Sequence, residues 1–284
     1  MMEYTLNIKG QLVDLSHPQV MGIVNVTPDS FYADSRRQTE ESICAQVERM
    51  VADGATMIDV GACSTRPGSE PVSQQEEMER LRMALGAIAH LSPLTSHLSP
   101  LISVDTFRAD VARMAVEEYG ADIINDVSEG QDPAMLRMVA RLRVPYILMS
   151  VQPDLRSTLL AFATKVQQLR DYGQKDIILD PGFGFGKTLE ENYRLMNELE
   201  RLHVMELPLL VGISRKSMIY RLLGSSPEEA LNGTTVLNTI ALMKGASILR
   251  VHDVKQAVEC VKVVTATMAQ HGKHDNREMV ESPC

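Results

Sequence analysis

The chain has no tryptophan, only five phenylalanines and only four cysteines in 284 residues. The cysteines, Cys44, Cys63, Cys260 and Cys284, form no C-x-x-C pair, which argues against a structural zinc site or a dithiol redox motif. Free thiols, with no basic and apolar export pattern in Met1-Met2-Glu3-Tyr4, give the cytoplasm as the expected compartment. Cationic excess is missing too. Twenty-eight Lys and Arg face 37 Asp and Glu, a net charge of -9, which argues against a nucleic-acid or polyanion surface. No apolar run approaches the roughly 20 residues of a membrane helix. There is no H-E-x-x-H pair, nucleophilic serine elbow or phosphate loop. A small anion held by a few local cations survives all these exclusions.

What remains is an ordinary globular composition, 44% hydrophobic and 23% charged. Residues 4–15 alternate loosely around Lys9-Gly10 and read as a short hairpin. After them one pattern repeats: a short apolar run, a loop, an amphipathic helix. The apolar runs cover residues 20–26, 57–60, 101–104, 123–124, 145–149, 177–179, 209–213 and 248–251. They are nearly continuous, as expected of parallel strands buried on both faces. Helical stripes lie between them, such as Ile43, Val47, Met50 and Val51, or Phe107, Val111, Met114 and Ala115. Capping patterns open several: Ser73-Gln74-Gln75-Glu76, Asp132-Pro133 and Thr188-Leu189-Glu190-Glu191. The seventh helix is expected from Ser226-Pro227 and the eighth from Asp253. Eight strand–helix units predict an α/β fold, a (β/α)8 TIM barrel with a short N-terminal hairpin. The single domain is expected to span residues 1–270, with a disordered polar tail over 271–284.

In such a barrel, function sits at the carboxyl ends of the strands. The residues there are Asn25; Asp59 and then Ser64-Thr65-Arg66-Pro67-Gly68; Asp105; Asn125-Asp126; Met149; Asp180; Ser214-Arg215-Lys216-Ser217; and Arg250 with His252. Each alone has a plain structural explanation, as a helix cap or a turn residue. Together they suit two tasks. Carboxylates and an amide grip a heterocycle bearing several N–H groups, and cations hold an anion. The stretch Asp180-Pro181-Gly182-Phe183-Gly184-Phe185-Gly186-Lys187 follows a buried strand. Its glycines let backbone come close to a flat ligand, and it holds two of the five phenylalanines.

These pieces resemble dihydropteroate synthase of folate biosynthesis over nearly the whole chain. The matching segments are Asn25-Val26-Thr27-Pro28-Asp29-Ser30-Phe31, Ser64-Thr65-Arg66-Pro67-Gly68, Ser103-Val104-Asp105-Thr106, Asn125-Asp126-Val127, the Asp180 to Lys187 stretch, Ser214-Arg215-Lys216-Ser217 and Arg250-Val251-His252-Asp253. The resemblance implies displacement of pyrophosphate from hydroxymethyl-dihydropterin pyrophosphate by p-aminobenzoate. It implies a pterin site at Asp105, Asn125, Asp180 and Lys216, with Met149 and Phe185 nearby. It puts pyrophosphate on Asn25, Arg66, Arg250 and His252, with a magnesium ion at Asn25. It assigns the p-aminobenzoate pocket to Phe31, Thr65, Pro67 and Ser217. Asp105, Lys216, Arg66 and Asn25 are the implied catalytic set, and a homodimer the implied assembly.

The chain departs from the family pattern in three places. Ala62-Cys63 stands where Gly-Glu is usual. Met149-Ser150-Val151-Gln152-Pro153-Asp154 replaces a histidine and a Gly-Thr-Pro turn. Tyr32-Ala33-Asp34-Ser35 replaces a Gly-rich segment. Two rival readings are a methyltetrahydrofolate-binding methyltransferase domain, which would not need the anion cluster, and a barrel that binds pterin without turnover.

Overall fold

A computed structural model describes residues 4–26, 33–63, 72–91 and 99–278. An antiparallel hairpin, β1 (Thr5–Ile8) and β2 (Gln11–Asp14), comes first. The barrel strands are β3 (Gln19–Asn25), β4 (Met57–Gly61), β5 (Leu101–Asp105), β6 (Ile123–Asp126), β7 (Tyr146–Met149), β8 (Ile177–Asp180), β9 (Leu210–Val211) and β10 (Ile248–Val251). They pair in parallel in the order β8-β7-β6-β5-β4-β3-β10-β9. A parallel bridge between Leu179 and Leu209 brings β8 back beside β9 and completes the ring. The expected barrel with its hairpin is the fold observed.

The strand interiors obey a period of two, which puts alternate residues on one face. Met21, Met57, Ile123, Ile147, Ile178, Leu210 and Ile248 form one buried apolar cluster inside the ring, together with Leu6, Ile8 and Leu15 of the hairpin segment. The hairpin therefore plugs the amino-terminal end of the barrel. Asn7 N–H donates to Asp176 Oδ1 at 2.8 Å, and Lys9 Nζ meets Asp122 Oδ1 at 2.5 Å, which pins it there. Two residues further along β4, β5, β6, β8 and β10 the inner face turns polar, with Asp59, Ser103, Asn125, Asp180 and Arg250. A second, larger cluster lies between the outer face of the strands and the helices.

The helices are α1 (Ala33–Ala52), α2 (Gln74–Leu91), α3 (Ala109–Tyr119), α4 (Pro133–Leu142), α5 (Leu155–Asp171), α6 (Leu189–Asn197), α7 (Ser217–Leu223), α8 (Leu231–Met243) and α9 (Val254–Glu278). The expected caps form: Ser73 Oγ accepts from Glu76 N–H, Asp132 caps α4, and Thr188 with Glu191 makes a reciprocal capping box. Two expectations need correction. Phe107 precedes α3, which starts at Ala109, and its side chain is exposed. The seventh unit carries an extra helix, α7, before the one expected from Ser226, which begins only at Leu231.

Candidate active site

At the carboxyl ends of the strands the polar inner residues make one connected network. The buried carboxylate of Asp59, mid-β4, accepts from Arg250 Nε at 2.6 Å and from Asn125 Nδ2 at 3.0 Å, both on Oδ2. Arg250 Nη2 also donates to Asp105 Oδ2 at 3.0 Å. β10, β4, β5 and β6 are thereby joined across the mouth. Strand register explains part of this, because Asp105 pairs with Gly61 on one side and with Asn125 on the other. Gly61 lies between two of these side chains: a Cβ there would sit in ordinary van der Waals contact, 3.7 Å from both Asn25 Oδ1 and Asp105 Oδ2. Asn25 itself is exposed at the end of β3.

The other wall comes from the loops after β7, β8 and β9. Asp180 is buried, and its Oδ1 accepts from Gly182 N–H at 2.8 Å, which turns the chain back toward β7. Gly182 has φ +69°, and a Cβ there would meet Ser150 O at 2.0 Å, so only glycine fits. Lys216 Nζ donates to Phe183 O and lies 4.3 Å from the centroid of the Phe185 ring. The two phenylalanines thus divide their work. Phe183 is fully buried in the outer core, and half-buried Phe185 carries the cation contact. Met149 is fully buried, two residues above the inner Ile147. His252 is exposed, with Nδ1 3.2 Å from Ser214 Oγ. Half-buried Ser217 opens α7 just after Lys216.

Burial sets the charge states. It raises the Asp105 carboxyl to about 7, against the pull of Arg250. It raises Asp180 as well, against the pull of Lys216. It lowers the Lys216 ammonium to about 8, against Asp180. Functional centres are where such opposed shifts cluster. If chemistry needs Asp105 ionised and Lys216 charged, kcat/KM rises through about pH 7 and falls above about pH 8, as coupled macroscopic steps. A pH–rate profile checks this. Asp105→Asn is expected to remove the acidic limb, and a flat profile across that range contradicts it.

The sequence-predicted residues Asn25, Asp105, Asn125, Met149, Asp180, Phe185, Lys216, Ser217, Arg250 and His252 all lie at this end of the barrel. Phe31, Thr65, Arg66 and Pro67 lie outside the described residues. Arg215, in the same motif as Lys216, does something different. Its Nε and Nη2 make a two-pronged pair with Asp253 at 2.8 Å each, and its Nη1 reaches the carbonyls of Pro227 and Glu228. It ties the β9 loop to the β10 loop. Asp126 is also structural, accepting from Tyr146 OH at 2.6 Å and Ser128 N–H at 2.7 Å.

Four other residues carry more than sequence reasoning gave them. Asp59 is the hub of the network; its two-residue spacing from inner Met57 was the available signal. Lys187 Nζ donates to the carbonyls of Ser150, Gly182 and Phe185 at 3.2, 3.0 and 3.3 Å, and burial lowers its ammonium to about 8. Glu129 accepts from Ser150 Oγ, Val151 N–H and Gln152 Nε2 at 3.0 to 3.2 Å, so the unusual segment after β7 is held by its own carboxylate clamp. Buried Glu77 accepts from Thr106 Oγ1 at 2.7 Å and pairs with Arg108, which also donates to Val72 O at 2.7 Å. That fixes the turn after Asp105.

Known proteins resemble this chain in sequence and in fold. The family model described as "Pterin binding enzyme" matches residues 21–252. The dihydropteroate synthase of Escherichia coli K12 is 41% identical over 276 residues, covering 92% of this chain and 95% of that protein. A solved Xanthomonas albilineans dihydropteroate synthase with 4-aminobenzoic acid is 36% identical with a TM-score of 0.85, covering 94% of this chain and 99% of that one. The Yersinia pestis enzyme in a sulfonamide complex is 39% identical with a TM-score of 0.83, covering 94% and 100%. The chain belongs to the dihydropteroate synthase family of pterin-binding enzymes.

Proposed function

We propose that this chain condenses 6-hydroxymethyl-7,8-dihydropterin pyrophosphate with p-aminobenzoate to give 7,8-dihydropteroate and pyrophosphate. The carrying observation is that acceptors for a heterocycle and cations for an anion share one network, through Asp59, Arg250, Asp105 and Asn125. The rival that lacks an anion site has no use for Arg250 beside Asp105.

In this reading Asp180 and Asn125 take the N–H groups of the pterin, Lys216 donates to a ring acceptor, and Met149 and Phe185 flank the ring. The C–O bond to pyrophosphate breaks first, and the leaving group departs with the electron pair. Asp105, ionised, favours the cationic pterin methylene that remains. Arg250, His252 and Arg66 hold the developing charge on the leaving oxygens. The amine of p-aminobenzoate, in a pocket that includes Phe31, Thr65, Pro67 and Ser217, then forms the C–N bond and loses a proton. A cationic carbon needs no strong nucleophile, so no dedicated base is required.

A magnesium ion fits the mouth of this site. Asn25 offers a hard amide oxygen beside Gly61, as Asp105 offers a carboxylate oxygen, and among the described residues no cluster of three or more His, Cys, Asp or Glu forms a protein cage. That donor set suits an ion held chiefly by phosphate oxygens and water. When bound, it supplies positive charge to the leaving group. The test is product formation: mass spectrometry of the mixed substrates is expected to yield dihydropteroate, with sulfonamides competing against p-aminobenzoate. Binding of both substrates without condensation would support the non-catalytic barrel.

The proposed assembly is a homodimer. Leu222, Leu223, Val236 and Met243 are exposed on α7 and α8, beside a cavity of about 410 Å³ lined also by α6. Clustered exposed apolar residues favour burial against another surface. Sedimentation equilibrium is expected to return twice the 31.5 kDa chain mass. A monomer at micromolar concentration contradicts the dimer. Free Cys44, Cys63 and Cys260 suit a reducing cytoplasm.

A further inference from the structure

We propose that Asp59 is the positioning residue that decides which end of the Asn125 amide faces the pterin. The inference rests on the pterin-site reading above. Asp59 lies mid-strand and fully buried. Its Oδ2 faces Arg250 Nε, a group that only donates, so this oxygen acts as an acceptor. Asn125 then has one favourable orientation, with Nδ2 turned to Asp59 at 3.0 Å. The consequence falls on the opposite end of the amide. Asn125 Oδ1 is buried, and among the described residues nothing donates to it.

A buried acceptor without a donor is costly in the empty protein and valuable once a donor arrives. A dihydropterin presents ring N–H and amino groups along one edge. Asn125 meets such an edge productively only with its oxygen forward. An amide that loses its anchor turns over readily, because its two ends have nearly the same shape. NH2 would then face N–H, and a hydrogen bond becomes a clash. Asp59 is also bonded to Arg250, which reaches Asp105. One carboxylate therefore orients a group in each half of the site, from partners 66 and 191 residues away in sequence.

The test is calorimetry with a 6-hydroxymethylpterin, which needs no turnover. Asp59→Ala is expected to weaken binding about tenfold or more. In an Asn125→Ala background the same change is expected to cost less than about threefold, because the amide it orients is gone and a pterin without a diphosphate makes no use of Arg250. Asp59→Asn keeps an oxygen that Arg250 Nε holds in the Oδ2 position, so pterin affinity is expected to stay within about threefold of the parent. A role in stability alone predicts a lower melting temperature with equal losses in both backgrounds, which would overturn the proposal. So would undiminished binding by Asp59→Ala. If the alanine variant does not fold, Asp59→Asn decides: a loss beyond about tenfold in that folded protein overturns the inference. A parent protein that binds no pterin refutes the functional reading instead.

Discussion

Asp180→Asn is expected to lose about a hundredfold or more in pterin affinity while the empty barrel keeps its fold. The reasoning is a count of donors and acceptors. A ring N–H beside an amino group offers two donors side by side, and a carboxylate offers two acceptor oxygens in a matching fork. An amide has one acceptor and one donor, so one bond becomes a repulsion. Asp180 Oδ1 already accepts from Gly182 N–H, and an amide oxygen keeps that bond, so the glycine turn survives. Stability has a definite sign. Burial raises the folded carboxyl above its unfolded value, so ionised Asp180 destabilises the empty protein at every pH above the usual carboxylate range. Removing the charge should leave the melting temperature at pH 7 equal or higher, with the difference vanishing in acid. Titration calorimetry and thermal melts of the two proteins check both halves. Unchanged pterin affinity would make Asp180 only an anchor for the glycine loop.

Arg250→Ala is expected to have the largest effect on stability as well as on turnover. Arg250 donates to fully buried Asp59 and to Asp105, whose side chain is 12% exposed. Removing one partner of such a buried pair leaves uncompensated charge and costs about 3–5 kcal/mol. The cost should depend on pH. Arg250 holds the Asp105 carboxyl down, yet it still stands at about 7. Without the guanidinium it rises further. A folded value raised above the unfolded one removes stability progressively as pH climbs from the carboxylate range through the folded value. Melts of the variant should therefore fall further below the parent at pH 8 than at pH 5. A constant deficit would show that Arg250 packs without holding charge.

The barrel was readable because its parallel strands are short, nearly pure apolar runs at regular intervals. β9 shows the limit: an apolar run over residues 209–213 keeps only Leu210–Val211 as strand, although it still closes the ring. The α7 helix was missed because Ser217 to Leu223 follows a motif that reads as loop. The identity of the polar residues at the strand ends was also legible, but not their connections. Arg215 and Lys216 are adjacent cations in one motif, yet a positive φ at Arg215 turns it outward to Asp253 while Lys216 faces Phe185. Asp59 looked like any polar residue near a strand end. Only the register of β3, β4 and β10 brings it to Arg250. Sequence gives residue types, and pairing depends on which strand lies beside which.

The central claim is that these groups form one centre that breaks the bond to pyrophosphate and makes the bond to p-aminobenzoate. Steady-state pyrophosphate release tests it most directly, with the pterin pyrophosphate, p-aminobenzoate and magnesium supplied to the intact protein. The account predicts sustained release matched by an equal amount of dihydropteroate. It also predicts loss of release in Asp180→Asn. Tight binding of both substrates with no pyrophosphate released would contradict it.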